Sequence, residues 1–165
     1  MRALLRNVAA LAALTLLAGA ALAWFADLTE DDVARNRLEA ETRILRDLIG
    51  AETFAGDHKG RPYGEDVVFC ERDLVVLRVA GSAYGGGFRL AVALDLDGTI
   101  TGVRVLDHVE TPGFGDILNA PSAWLDSFTT GDAHAVTGAT ITSQAVIEAV
   151  SRAVDRVRLE EMCPP

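Results

Sequence analysis

From Asn7 to Ala26 the chain reads NVAALAALTLLAGAALAWFA, twenty positions in a row without a charged side chain. As an α-helix such a run spans about 30 Å, the thickness of a bilayer's hydrocarbon core. Arg2 and Arg6 stand before it, and Asp27, Glu30, Asp31 and Asp32 follow it. Basic residues are retained on the cytoplasmic side of a membrane, so this asymmetry predicts residues 1–6 inside, an anchor over 7–26 and export of everything beyond. Trp24 and Phe25 stand where interfacial aromatics are expected. Ala21-Leu22-Ala23 also has the pattern of a signal-peptidase site, which makes a cleaved signal peptide the alternative. The apolar run is longer than a usual signal-peptide core, which favours the uncleaved anchor. A buried soluble helix would need every face covered by a larger domain.

The remainder is acidic. The chain of 165 residues has 15 basic and 24 acidic side chains, and Lys59 is its single lysine. Without Arg2 and Arg6, 13 basic residues face 24 acidic ones. Such a surface repels phosphate backbones, and no basic patch interleaved with aromatics is present, which argues against nucleic acid as a partner. The length suits one folded domain behind the anchor, and half of the residues are apolar, which excludes disorder. Cys70 and Cys163 are too far apart in sequence for a CxxC redox or zinc pair; in an oxidising compartment they are candidates for a disulfide.

Thr29-Glu30-Asp31-Asp32 reads as an N-cap with an acidic residue three positions later, predicting a juxtamembrane helix over 27–52 that stops near Gly50. Residues 53–66, TFAGDHKGRPYGED, read as a loop opening the exported domain of 53–165. Strands are expected over Leu74–Ala80, Phe88–Asp95 and Ile100–Leu106, the last two joined by a hairpin at Asp95-Leu96-Asp97-Gly98. Residues 107–131 read as loop with a short helix near Ser122–Phe128. From Ser143 to Arg158, Val146, Ile147, Val150, Val154 and Val157 recur at helical spacing and form one apolar face. No internal repeat is present.

Directly before that helix stands Val136-Thr137-Gly138-Ala139-Thr140-Ile141-Thr142-Ser143. Four hydroxyls and two small residues at a helix N-terminus suit an anion such as phosphate. The plainer reading is an ordinary N-cap, with Thr142 the capping residue. The Gly-Lys-Ser/Thr of a Walker loop is absent. A second segment, His108-Val109-Glu110-Thr111-Pro112-Gly113-Phe114-Gly115, follows a strand; His108 and Glu110 would share a face if the extended backbone continued. Two such ligands without a third do not make a metal site. His58 and His134 have no partners in the sequence and are expected at the surface. The glycine-rich Ser82-Ala83-Tyr84-Gly85-Gly86-Gly87 allows a tight turn or a close backbone approach.

Together the His108–Gly115 and Thr137–Ser143 segments resemble the FMN-binding domain found in the G subunit of the Rnf electron transport complex and in the C subunit of the sodium-pumping NADH:quinone reductase. In that family a His-x-Glu-Thr-Pro-Gly loop precedes a Ser/Thr-Gly-Ala-Thr-x-Thr-Ser helix start; the Tyr84-Gly85-Gly86 turn and the Asp97-Gly98 hairpin fit too. The resemblance covers roughly residues 74–158. It implies an α+β domain, an antiparallel sheet with packed helices behind one transmembrane helix. It implies FMN bound covalently through a phosphoester to Thr140, with Thr137, Gly138, Ala139, Thr142, Ser143, Glu110, Thr111 and Gly113 around the cofactor. It further implies a flavin transferase that uses FAD, the other subunits of an Rnf-type complex in the inner membrane, and a periplasmic domain. Electron carriage without independent substrate turnover is the expected function. The alternatives are a flavin-free structural or assembly subunit and a free-standing covalent flavin carrier. Family members have an acidic residue three positions before the Ser/Thr of the motif, where this chain has His134, with Asp132 two residues earlier. Ala83 stands where glycine is usual.

Overall fold

A computed structural model describes residues 2–50, 53, 60–113, 115–119, 122–157 and 159–162. The chain divides into two compact units, Met1–Ala40 and Glu41–Pro165.

Helix α1 runs over Arg2–Ile49 and is long and apolar enough to cross a membrane. None of its described residues is buried, and leucines such as Leu11 and Leu14 are about two-thirds exposed. The helix start expected at Thr29 does not occur. Thr29 lies within α1, and its hydroxyl donates to the carbonyls of Phe25 and Ala26, one turn back. A threonine caps only where the backbone before it is non-helical; inside a running helix its hydroxyl bonds backwards instead. The expected stop holds: α1 ends at Ile49, and Gly50 takes φ +83°.

In the second unit, β1 (Arg61–Tyr63), β2 (Asp66–Phe69), β3 (Leu74–Ser82), β4 (Gly87–Asp95) and β5 (Ile100–His108) form one antiparallel sheet in sequence order. The first two strands were not expected, since part of their sequence reads as loop. They are only three and four residues long, too short for periodicity to mark them; β2 is held by pairing with β3, Val68 opposite Val75. Asp66 adds a tie, its carboxylate accepting the Arg78 N–H at 2.9 Å. The three longer strands match expectation, each extended by one or two residues. Gly98 turns the β4–β5 hairpin at φ +89°, and Asp97 accepts the Thr99 N–H, which holds its carboxyl below the usual range.

Helix α2 (Ala123–Asp126) begins at the N-cap Ser122, and α3 spans Thr140–Arg156. One sheet face, with Val75, Leu77, Val79, Leu90, Val92, Leu94 and Val103, packs in a core with Val146, Ala149, Val150 and Ala153 of α3. Fully burying a valine or leucine contributes ~1.5–3 kcal/mol, so this face dominates the domain's stability. Behind it Val76, Ala91 and Ala93 are buried too. On that side Glu41 pairs with Arg78, Asp47 with Arg104 at 3.4 Å, and Leu48 lies over Gly102, where a Cβ would be 2.7 Å from its Cδ1. The centre of β4 is therefore buried on both faces, which is why Leu90–Leu94 reads as a continuous apolar run instead of alternating. Cys70 is disulfide-bonded; Cys163, the other cysteine of the chain, lies outside the described residues, as do His58 and Arg158.

Candidate functional site

The residues 136–143 make a tight turn into α3. Ala139 N–H donates to Val136 O at 3.0 Å, and Gly138 takes φ +87°, a conformation side-chain-bearing residues rarely adopt. Ser143 closes the turn from inside the helix. Its fully buried Oγ accepts the Val136 N–H and donates to Ala139 O, both at 2.9 Å. The helix therefore begins at Thr140, three residues before the expected start, with Ala139 as an N-cap that no side chain completes. Thr142 is not the cap. It lies in the first turn, only 1% exposed, and its Oγ1 has no hydrogen-bond partner among the described residues. Leaving a buried hydroxyl unpaired costs ~1–3 kcal/mol. Thr140 is exposed, its Oγ1 3.2 Å from Val136 O.

A groove of about 280 Å³ opens at this helix start, lined by Tyr84, Gly138, Ala139, Thr140, Ile141 and Thr142. Tyr84 and Ile141 are 63% and 58% exposed, large apolar surfaces beside a polar turn. Neither was among the expected cofactor contacts: Tyr84 stood only in a glycine-rich turn and Ile141 only at the variable position of the motif. Tyr84 lies more than fifty positions from Thr140 in sequence, and only the packing of the strand ends brings the two together.

The second segment turns away from the extended path at the end of β5. Glu110 N–H donates back to His108 Nδ1 at 3.2 Å, so His108 and Glu110 do not share a strand face. His108 Nε2 lies 3.2 Å from Asn119 Oδ1. Glu110 is buried, and both its carboxylate oxygens accept the Gly85 N–H, at 3.0 and 3.1 Å. Gly113 turns at φ +93°, donates to Asp116 Oδ1 and is exposed, as is Thr111, whose carbonyl accepts the Gly115 N–H. Phe114 lies outside the described residues.

Of the sequence-derived candidates, the groove thus gathers Gly138, Ala139, Thr140 and Thr142. Thr137 is exposed in the turn before it, and Ser143 faces inward. Glu110, Thr111 and Gly113 belong to the neighbouring loop, joined to the Tyr84 turn through Gly85. His134, exposed, holds Asp132 O with its Nδ1, and its own carbonyl accepts the Trp124 indole N–H at 2.8 Å. Among the described residues no group of three or more His, Cys, Asp or Glu is placed to hold a metal ion.

The FMN-binding domain family model matches residues 83–155, from the Tyr84 turn through nearly all of α3. The G subunit of the ion-translocating oxidoreductase complex of Shewanella amazonensis is 30% identical, with 92% of this chain and 86% of that one aligned. The corresponding G subunits of Aliivibrio fischeri and Cereibacter sphaeroides are 38% and 34% identical over 46% and 54% of this chain, and these alignments cover about half of each relative. With relatedness along nearly its whole length and the matching domain centred on the groove, this chain belongs to the G-subunit family of ion-translocating oxidoreductase complexes.

Proposed function

We propose that this protein is a membrane-anchored electron carrier of an ion-translocating oxidoreductase complex, holding FMN as a phosphoester on Thr140 Oγ1. The observation that carries the reading is the start of α3, where an exposed Thr140 hydroxyl lies in a groove that Thr142 also lines, Thr142 Oγ1 being buried with no partner among the described residues. The residues fit the group. A phosphate esterified at Thr140 keeps a negative charge at a helix N-terminus, where the first N–H groups lack intrahelical acceptors. An anion there is favoured by ~0.3–1 kcal/mol or more, and its oxygens would give the Thr142 hydroxyl an acceptor. Gly138, with no side chain, and Ala139 leave room for the ester. Ser143 holds the turn that aims Thr140, with exposed Thr137 at its rim. Tyr84 and Ile141 offer the ring an apolar bed, and the loop of Glu110, Thr111 and Gly113 stands behind Tyr84. Bound flavin supplies one- or two-electron transfer.

For attachment, a flavin transferase using FAD would form the Thr140 Oγ–P bond as the pyrophosphate bond to AMP breaks. AMP leaves and the hydroxyl proton is released. In the full proposal residues 1–6 are cytoplasmic, 7–26 anchor the chain in the inner membrane, 27–52 are the juxtamembrane segment, in which α1 continues as far as Ile49, and 53–165 form the periplasmic FMN-binding domain. Its partners are the other subunits of the complex. The apolar anchor has no ionisable group between Asn7 and Ala26, so ion movement falls to those subunits.

The test is the intact mass of the full chain produced with a flavin transferase. Esterification should add about 438 Da, the mass of FMN less water. An unmodified mass alongside a control flavoprotein that is modified in the same cells would refute the covalent reading. Topology is tested separately. A reporter joined after Phe25 should be active only as a periplasmic enzyme, and activity as a cytoplasmic one would overturn the orientation.

A further inference from the structure

We propose that Glu110 is a positioning residue of the groove: its buried carboxylate holds the Tyr84–Gly85 turn, and through it sets the Tyr84 ring beside Thr140. The inference deepens the flavin reading of the groove and rests on it. Glu110 is 8% exposed and is absent from the groove lining, whereas Tyr84, the residue just before Gly85, lines it. The carboxylate is therefore placed to act on a ligand through the turn. It accepts the Gly85 N–H with both oxygens, at 3.0 and 3.1 Å, a charge-assisted bond roughly twice as strong as a neutral one.

Two further features make the arrangement specific. Gly85 lies directly on the loop backbone: a Cβ there would come 2.9 Å from Glu110 Cα and 3.0 Å from Thr111 N. Val109 N–H also donates to Gly87 O at 3.1 Å, so the two segments are joined at Gly85 and again two residues later. Glu110 itself is fixed from behind. Its N–H is bonded to His108 Nδ1, and Gly115 leaves space where a Cβ would lie 2.6 Å from Glu110 Cβ. The turn it grips contains three consecutive glycines and is closed by one backbone bond, Ala83 N–H to Gly86 O. A segment that permissive needs an outside hold to keep one conformation.

The experiment uses the full chain, both flavin-free and flavin-loaded, with Glu110→Ala, Glu110→Gln, Tyr84→Leu and the Glu110→Ala/Tyr84→Leu double variant. In the flavin-free protein, Glu110→Ala should speed amide exchange across residues 83–87 by about tenfold or more, leaving 90–94 protected. Glu110→Gln keeps one accepting oxygen but loses the charge and the second acceptor, so it should fall between the parent and Glu110→Ala. If Glu110→Ala does not fold, Glu110→Asp withdraws the carboxylate from Gly85 and should give the same fast exchange. In the loaded protein, an aromatic neighbour quenches flavin fluorescence, so Glu110→Ala should brighten it. In the Tyr84→Leu background the same change should add nothing. Unchanged exchange at 83–87 overturns the proposal whether or not flavin is bound. Equal brightening in both backgrounds overturns it too, by showing that Glu110 acts on the flavin directly. A chain that takes up no flavin yet shows the exchange pattern upholds the Glu110 hold on the turn and refutes the flavin reading of the groove.

Discussion

Two helix starts in the same domain handle their hydroxyls in opposite ways. At α2 one serine does everything: Ser122, extended at φ −129° and ψ 110°, accepts the Leu125 N–H with its Oγ and donates to Ile117 O. At α3 the hydroxyls of Thr137, Thr140, Thr142 and Ser143 crowd the helix start, yet no side chain caps Ala139. Thr140 bonds backwards to Val136 O, Ser143 is spent on the turn, and Thr142 is buried without a partner. The α2 start has its side-chain cap within the protein. The α3 start, in contrast, leaves its first-turn donors without a side-chain cap, the arrangement that the proposed phosphate ester would use, and keeps one buried hydroxyl unpaired among the described residues.

The contrast can be attacked residue by residue. Ser143→Ala should have the largest effect on stability, since it strands the Val136 N–H that Ser143 Oγ accepts and loosens the turn. A loss of about 2 kcal/mol in denaturant unfolding is expected, with slower flavin uptake. Uptake at the parent rate would mean that the turn does not aim Thr140. Ser122→Ala should cost about 1 kcal/mol as an ordinary cap loss and leave the flavin content per folded chain unchanged. A fall in flavin content there would erase the distinction between the two helix starts. Thr142→Val has the smallest expected effect and a diagnostic sign. Removing an unpaired buried hydroxyl should stabilise the flavin-free protein by up to about 1 kcal/mol, a gain that vanishes once flavin is bound. Destabilisation of the flavin-free form would show that Thr142 has a partner within the protein.

The legible parts of the sequence were those where one rule acts alone. The unbroken apolar run announced α1, and the apolar stretches of β3, β4 and β5 announced the centre of the sheet. Competing rules hid the rest. Thr29 satisfies every local requirement of a helix start, but α1 is already running when it arrives, so the cap has no terminus to serve. Arg61–Phe69 carries Pro62 and Gly64 and has too short an apolar stretch to show alternation; its pairing is imposed by β3 and the Asp66 carboxylate. Thr142 looked like a cap because spacing cannot reveal that Ser143 reaches back to Val136 and pulls the helix start to Thr140. At the site, the residues adjacent in sequence were found together. Tyr84 was recognised only as part of a turn, because nothing local records that it shares a groove with Thr140.

The central claim is the bond at Thr140, and fragment mass spectrometry of the flavin-loaded chain addresses it most directly. The account predicts an added mass of about 438 Da on Thr140 alone, absent from Thr140→Ala and partly retained in Thr140→Ser. An adduct mapping to Thr137 or Thr142, or one that persists in Thr140→Ala, would contradict it.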